Sequence, residues 1–280
     1  MISNFMASIG NHTNIKIEED LLRHMVLNSL RAYNHRFRME YGEMVIACDD
    51  RRSWRKQVFP YYKANRKKDR DKSEIDWNAV FEILEKIKDE LRDNFPYRVI
   101  QVESAEADDV IGTLCIENGA VLGSGSGKIL IISGDKDFKQ LQRYSNVVQY
   151  DPVRKKWLDE PNPEGYLREH IMRGDQSDGV PNFLSPPDSF VAGIRQKSLM
   201  QKKIDVWVDQ EPSEFCDETT TRYYERNREM IDLNFIPGEV RAEVLTQFEA
   251  QVGKSKDRSK LFNYFIKMNL KHLMTDISQF

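Results

Sequence analysis

The chain has 280 residues, 40% hydrophobic and 31% charged, enough to bury one substantial core and a smaller appended unit. No run approaches the ~18 consecutive apolar residues of a membrane span, and Met1-Ile2-Ser3-Asn4 lacks the basic-then-apolar order of a signal peptide, so a soluble, cytoplasmic protein is the default expectation. Cys48, Cys115 and Cys216 lie far apart with no CxxC pair, which excludes a disulfide framework or zinc ribbon, and the net charge of -3 hides an uneven distribution.

In chain order, Glu18 to Tyr41 carries Leu21, Leu22, Met25, Val26 and Leu30 at helical spacing, with acids first and bases later. Met44 to Cys48 reads as a buried strand ending at Asp49. Trp77 to Asn94 is a helix with Val80, Phe81, Leu84, Ile87 and Leu91 on one stripe, and Tyr97 to Val102 is a second strand. Ser104 can cap a helix opened by Glu106 to Asp109 and stopped at Asn118-Gly119. Ile129 to Ser133, apolar throughout, has the character of a central parallel strand. Leu261, Phe262, Phe265, Ile266, Leu270, Leu273 and Met274 recur at helical spacing and suit packing against the main domain. Strands alternating with helices imply βαβ units and a parallel sheet.

Between Arg51 and Lys72 stand ten bases (Arg51, Arg52, Arg55, Lys56, Lys63, Arg66, Lys67, Lys68, Arg70, Lys72) against Asp69 and Asp71. Trp54, Phe59, Tyr61 and Tyr62 are interleaved with them. Such a segment can neutralise phosphates while its rings stack on unpaired bases, against the blander reading of a solvated loop. Gly123 to Lys128 imitates a phosphate loop but fails the Walker pattern at Leu122 and Ile129, so it reads as a flexible connection. Lys254, Lys256, Arg258 and Lys260 suit duplex phosphates or solvent, and His24, His35, His170 and His272 show no metal spacing.

Acids recur where strands end or helices begin: Asp49, Glu106-Ala107-Asp108-Asp109, Asp135-Lys136-Asp137, Asp175 and Asp178. In an open parallel sheet the ligand crevice lies at the carboxyl ends of the strands, where Asp49, Glu106 to Asp109, Asp135 and Asp137 would fall. Glu106 and Asp109 would share a helix face while Asp108 turns aside. Two carboxylates about 4 Å apart repel by about 4 kcal/mol at an effective dielectric near 20, so a gathered cluster needs cations. A basic segment beside such a cluster suits phosphodiester hydrolysis, the bases holding substrate and the acids holding metals.

Taken together, Ala47-Cys48-Asp49, Tyr61-Tyr62-Lys63-Ala64-Asn65-Arg66, Ala105 to Asp109, Ser133-Gly134-Asp135-Lys136-Asp137-Phe138 and Gly174-Asp175-Gln176-Ser177-Asp178-Gly179-Val180-Pro181 resemble the flap endonuclease and 5′-3′ exonuclease superfamily. Within it the likeness is to the RNase H group of T-even-type bacteriophages. The resemblance implies an α/β fold: a parallel-sheet, PIN-like catalytic domain over 1–160 with a basic bridge region at 51–72, and a helical DNA-binding domain over 161–280. Gly174 to Pro181, with Gly174 and Gly179 approaching nucleic acid, resembles the start of a helix-three-turn-helix element, and Gly193 to Ser198 only loosely resembles its glycine-rich turn. It further implies two Mg²⁺ ions, with Mn²⁺ able to substitute. Asp49, Asp108 and Asp135 would be inner ligands of one, assisted by Glu106 and Asp109, and Asp137, Asp175 and Asp178 more distant ligands of the other. Lys63 and Arg66 would steady the scissile phosphate, with Arg51, Arg52, Arg55, Lys56, Tyr62, Lys67 and Lys68 on the nucleic acid. The implied substrates are DNA and RNA–DNA hybrids with 5′ ends or flaps, and the implied task is primer removal by a monomer in the cytoplasm of an infected bacterium. Contacts with a phage single-strand-binding protein and a sliding clamp are implied too, though no residue identifies either.

One departure stands out: the family opens with a strand ending in a metal-binding Asp ahead of the helix that here begins near Ile17, and this chain starts too late to hold either. The expectation is a start codon assigned too far downstream, against a truncated gene or a split product. The alternative function is a catalytically impaired nucleic-acid-binding protein of the same fold. A haloacid-dehalogenase-like phosphatase using Asp135 and Asp137 fits the order of elements poorly, and a PIN-type ribonuclease is shorter.

Overall fold

The computed structural model describes residues 18–66, 75–121, 127–254 and 257–280. Helix α1 (Glu19–Tyr41) opens with Glu19 and Asp20 and ends with Arg38, and Leu22, Val26, Leu27, Leu30 and Phe37 make its buried stripe. Strand β1 (Val45–Ala47) and the single turn α2 (Arg55–Val58) follow. Helix α3 (Trp77–Asn94) has the expected bounds, because Asp76 accepts from the N–H groups of Asn78 and Ala79 at 3.1 Å. Its stripe differs from expectation at one place: Ile83 is buried and Phe81 is 40% exposed. Phe81 follows the buried Val80 directly, and a neighbour along a helix turns through about 100°.

Strand β2 (Arg98–Ile100) pairs in parallel with β1, Val45 opposite Arg98. Helix α4 (Ala107–Val121) starts after the position that Ser104 would cap. Ser104 instead takes a positive φ of 61°, and its carbonyl accepts from Trp54 N–H. Strand β3 (Ile129–Ile132) pairs in parallel with β4 (Val147–Asp151), and β4 pairs antiparallel with β5 (Lys156–Leu158). A 3₁₀ helix, Lys136–Arg143, links β3 to β4. The helices that follow are α5 (Pro163–Arg173), α6 (Gln201–Trp207), α7 (Pro212–Phe215), α8 (Glu218–Ile231), α9 (Gly238–Ala250), α10 (Arg258–Lys267) and α11 (Lys271–Met274). Among the described residues β3 borders only β4, and the described strands fall into one two-stranded and one mixed three-stranded sheet. Residues 1–17, and 123–126 of the glycine-rich loop, lie outside the described residues.

The chain forms two compact units, each discontinuous in sequence. The first comprises Met1–Cys48, Ser73–Gln101 and Leu245–Phe280. Its core joins Leu22, Leu27, Val80, Ile87, Leu91, Val99 and Phe265, with Phe95 edge-on to Tyr264 at 5.3 Å. Arg23, 2% exposed, is held there by Glu90 and Asp20 at 2.8 Å each, while Tyr264 donates to Glu90 at 2.8 Å. Leu261, Phe265, Leu270 and Leu273 are buried in this unit, whereas Phe262 and Ile266 are exposed. Lys254 is occupied by the carbonyls of Arg92 and Tyr97, which takes it away from phosphates.

The second unit comprises Asp49–Lys72 and Val102–Val244 and holds every acid singled out above. Gly112 lets α4 approach closely: a Cβ there would lie 3.1 Å from Ile236 Cδ1 and 3.2 Å from Leu233 Cβ.

Candidate metal centre and nucleic-acid interface

Two residues after β1, the Asp49 carboxylate accepts the N–H of Ala107 at 2.8 Å, so an acid 58 positions away caps α4 in place of Ser104. The helix dipole favours negative charge at that end, where Asp108 and Asp109 fill the first turn. These two part company as their spacing suggested: Asp109 shares with Glu106 the face that meets Arg55, at 2.8 and 3.5 Å, and Asp108 turns aside toward other acids. Asp109, fully buried, pairs with Arg55 (Nη2 to Oδ1 2.8 Å, Nη1 to Oδ2 3.0 Å) and accepts from Trp54 Nε1 and from Glu106 N–H. Arg55 is only 3% exposed and also donates to the Met230 carbonyl, so it is unavailable to nucleic acid, contrary to expectation. Its partner Asp109 acts as a buried counterion. Asp108 keeps electrostatic company with Asp135, Asp137, Lys63 and Glu106.

The bridge segment folds over the acids. Tyr62 is 3% exposed and its hydroxyl lies 2.7 Å from Glu106 Oε2 and 2.8 Å from Asp178 Oδ2. That burial removes it from the base-stacking role expected of it, and Trp54 and Phe59, also buried, are core residues rather than stacking platforms. One phenol proton serves one acceptor, so the second oxygen can pair with Tyr62 only by carrying a proton itself. Lys63 Nζ lies 2.7 Å from Glu106 and 3.7 Å from Asp178, and Arg66 Nη2 reaches Asp178 Oδ1 at 2.6 Å. Lys63 N–H donates to the Asp178 carbonyl at 2.7 Å, and a Cβ on Gly179 would stand 3.0 Å from the Tyr61 carbonyl. Gly179 thus permits contact between two chain segments. Arg51, Arg52 and Lys56 are exposed, with Arg52 paired to Glu103; Lys67 and Lys68 lie outside the described residues.

At the end of β3 the loop 133–135 is held by buried Gln149, whose amide donates to the carbonyls of Ser133 (2.9 Å) and Asp135 (2.7 Å). Asp135 is exposed and accepts from Asp137 N–H at 3.0 Å, capping the 3₁₀ helix. Asp137, His170 and Asp175 each offer a ligand atom, all within 4.8 Å of one another. Asp175 also accepts from Ser177 N–H and Oγ and pairs with Lys136 at 2.8 Å. Gly174 makes this turn possible: at φ +68° a Cβ would fall 2.4 Å from the Val180 carbonyl.

Burial, then the charges of Asp135, Asp175 and Asp178, push Asp137 up to about 8. Burial, then Asp135 and Asp137, raise Asp108 well above the ordinary range. Burial alone would raise Asp175, but contacts with His170, Lys136 and Ser177 outweigh it and hold it well below that range. Glu106 is lowered in the same way, burial being outweighed by Lys63, Arg55 and Tyr62. Asp137 Oδ1 is buried with no hydrogen-bond partner. Crowded carboxylates with raised pKa values and a bare buried oxygen fit divalent cations, whose hard preference is for oxygen donors. His170, Lys136 and Gln149 are members of the site that sequence reasoning missed. The signal for His170 was its place five residues before Asp175 on a helix that ends at Arg173.

A family model described as the 5′-3′ exonuclease N-terminal resolvase-like domain matches residues 4–168, more than half the chain. The chain belongs to the 5′-3′ exonuclease family. A second model, the T4 RNase H C-terminal domain, matches residues 162–280. Ribonuclease H of Enterobacteria phage T4 is 32% identical over 275 residues, 95% of this chain and 88% of that one. A flap endonuclease Xni of Shewanella sp. strain MR-4 is 29% identical over 165 residues, 56% of this chain and 55% of its own. Among solved structures, a bacteriophage T5 flap endonuclease in a pseudo-enzyme–product complex with DNA and metal ions superposes with a TM-score of 0.58 at 15% identity, covering 89% of this chain and 96% of that one. The T5 5′-exonuclease with bound zinc ions gives 0.57 at 15% identity, covering 89% and 97%. These establish the mixed α/β fold with a parallel pair and a helical C-terminal part. As a 5′-3′ exonuclease relative the chain is a nuclease, a metal-dependent phosphodiester hydrolase. Among the described residues no helix is long and apolar enough to cross a membrane.

Proposed function

We propose that this 5′-3′ exonuclease relative cleaves DNA and RNA–DNA hybrids at 5′ ends and flaps, with two Mg²⁺ ions held by Asp49, Glu106, Asp108, Asp135, Asp137, Asp175 and Asp178. One observation carries the reading: Lys63 and Arg66 meet Glu106 and Asp178 where acids from three separate segments converge, beside Asp49 at the start of α4. Bound divalent ions would lower the pKa of the attacking water and stabilise the departing oxygen of an in-line displacement. The chain's own residues do the rest. Lys63 and Arg66, now paired with carboxylates, exchange those partners for phosphate oxygens and stabilise the charge that develops there. Tyr62 fixes the Glu106 and Asp178 oxygens, and Asp49, tied to α4, fixes the entry to the acidic helix end. Exposed Arg51, Arg52 and Lys56 add salt-sensitive phosphate contacts.

The nuclease chemistry belongs chiefly to a catalytic part over 1–160, completed by Asp175 and Asp178, and duplex binding to the helical part over 161–280. In this reading the protein is a monomer acting in the cytoplasm of an infected bacterium, where it removes RNA primers beside a single-strand-binding protein and a sliding clamp. The test is cleavage of a 5′-labelled flap duplex and a 5′-labelled RNA–DNA hybrid with Mg²⁺ or EDTA, alongside Asp135→Asn. Mg²⁺-dependent cutting lost in the variant supports the proposal. Binding without cutting in the native sequence would replace it with the impaired nucleic-acid-binding reading.

A further inference from the structure

His170 is 6% exposed, yet neither ring nitrogen has a hydrogen-bond partner. Nδ1 stands 3.5 Å from Asp137 Oδ1 and Nε2 stands 3.4 Å from Asp175 Oδ2. Both separations exceed the 2.7–3.2 Å of an N–H···O bond. They do match the edge between two ligands of one ion: bonds of about 2.0–2.1 Å to nitrogen and oxygen, opened to a tetrahedral angle, put the donor atoms about 3.4 Å apart. On the Asp137 side the facing oxygen is bare as well as buried, whereas Asp175 is engaged by Lys136 and Ser177. A ligating imidazole commonly turns its other nitrogen to a carboxylate that fixes the ring, and Asp175 stands where that partner belongs.

We infer that His170 Nδ1 and Asp137 Oδ1 together ligate a divalent cation, with Asp175 orienting the ring through Nε2. The inference rests on the reading of Asp137 and Asp175 as part of the metal centre and adds a nitrogen donor to an otherwise all-oxygen set. Its consequence is selectivity. Imidazole suits Zn²⁺ and the later first-row ions such as Co²⁺ and does little for Mg²⁺, which prefers oxygen and retains its waters. This position of the cluster therefore binds a transition ion more tightly than the Mg²⁺ that otherwise occupies it, while the carboxylates around Asp108 and Asp135 make the harder site.

The deciding experiment is pulsed EPR of the full chain loaded with Mn²⁺ alone, read for ¹⁴N hyperfine coupling, with Co²⁺ and Mg²⁺ affinities from calorimetry on the same protein. The expected result is a nitrogen coupling in the native chain that is absent in His170→Gln, together with a 10- to 100-fold weaker Co²⁺ affinity at one site and a Mg²⁺ affinity changed by less than about twofold. Bound Mn²⁺ with no nitrogen coupling in the native chain overturns the inference and leaves an all-oxygen centre and the proposed nuclease function standing. Absence of any Mn²⁺ or Mg²⁺ binding overturns both. The native spectrum decides the matter even if His170→Gln folds poorly, and His170→Asn provides a second, smaller replacement.

Discussion

Arg55 and Asp109 form an ion pair with almost no solvent access: Nη1 donates to Oδ2 at 3.0 Å, and Nη2 stands 2.8 Å from Oδ1. Removing one member of such a pair leaves a buried, uncompensated charge and costs about 3–5 kcal/mol, whereas replacing both by apolar groups of similar volume is often close to neutral. Arg55→Met is therefore expected to lower urea stability by that amount, and Arg55→Met with Asp109→Leu to recover only part of it, because Trp54 Nε1 and Glu106 N–H then lose their acceptor. Asp135→Asn, at an exposed carboxylate among like charges, should change stability little or raise it. An Arg55→Met protein as stable as the native one would remove the structural role assigned to this pair.

The same pair shows where sequence reasoning was sufficient and where it was not. Helical spacing located α1 and α3 because their apolar stripes repeat over many turns, and the strands followed from short apolar runs ending in acids. Periodicity cannot say which of two adjacent acids turns inward. Asp108 and Asp109 have the same charge and lie on the same turn, and only the arrival of Arg55, 54 positions earlier, separates them. Trp54 and Phe59 looked like stacking rings because aromatics among bases carry the same pattern whether they face solvent or a core. His170 was invisible for a related reason: its partners come from the 3₁₀ helix and from the turn after α5, so the spacing of histidines held no information.

Tyr62 offers a test of the site that leaves its charges in place. Its hydroxyl stands between Glu106 and Asp178 at 2.7 and 2.8 Å, so Tyr62→Phe keeps the packing and removes the one polar group that bridges them. Losing a group that orients metal-holding carboxylates typically costs 10- to 100-fold in affinity or activity. The expected result is a fall of that size in flap cleavage with an unchanged melting profile. Lys63→Ala should cost more, about 10²- to 10³-fold in turnover, if it stabilises the reacting phosphate as proposed. Should Lys63→Ala alter only binding and spare turnover, its proposed role at the scissile phosphate would be wrong.

The turn carrying Asp175 and Asp178 depends on Gly174 for two separate reasons. Its φ of +68° disfavours any L side chain, and an added methyl would sit 2.4 Å from the Val180 carbonyl. Gly193 has the same φ but open space around its Cβ position. Gly193→Ala should therefore carry only the backbone penalty, about 1–2 kcal/mol, while Gly174→Ala carries that plus a backbone clash and should displace both acids. Denaturation midpoints of the two variants, with metal affinity measured in parallel, test this. Equal losses in both would mean that the turn yields more easily than its packing indicates.

The acid cluster makes stability depend on pH in a way that cations should cancel. Asp137, pushed by burial and then by Asp135, Asp175 and Asp178 to about 8, and Asp108, raised by burial and its acidic neighbours, hold protons in the folded chain that the unfolded chain releases near pH 4. The contribution of Asp137 is complete below about pH 4 and is lost as the pH rises to about 8, and that of Asp108 is lost as the pH rises through its own raised value. Asp175 and Glu106 act oppositely: their lowered values make a contribution that is present above about pH 4 and fades as the pH falls through those values. His24, lowered by burial and then by His272 and Arg31, adds stability as the pH rises through its own range. Subtracting an Asp137→Asn profile removes the contributions common to both proteins. In EDTA the native-minus-variant stability should fall between pH 5 and 8, and with Mg²⁺ that slope should flatten, because a bound cation favours the ionised carboxylate. Urea midpoints at four pH values, with and without Mg²⁺, are sufficient. A difference that rises with pH in EDTA would mean that Asp137 is already ionised in the fold and that Lys136 and His170 satisfy its charge without a metal.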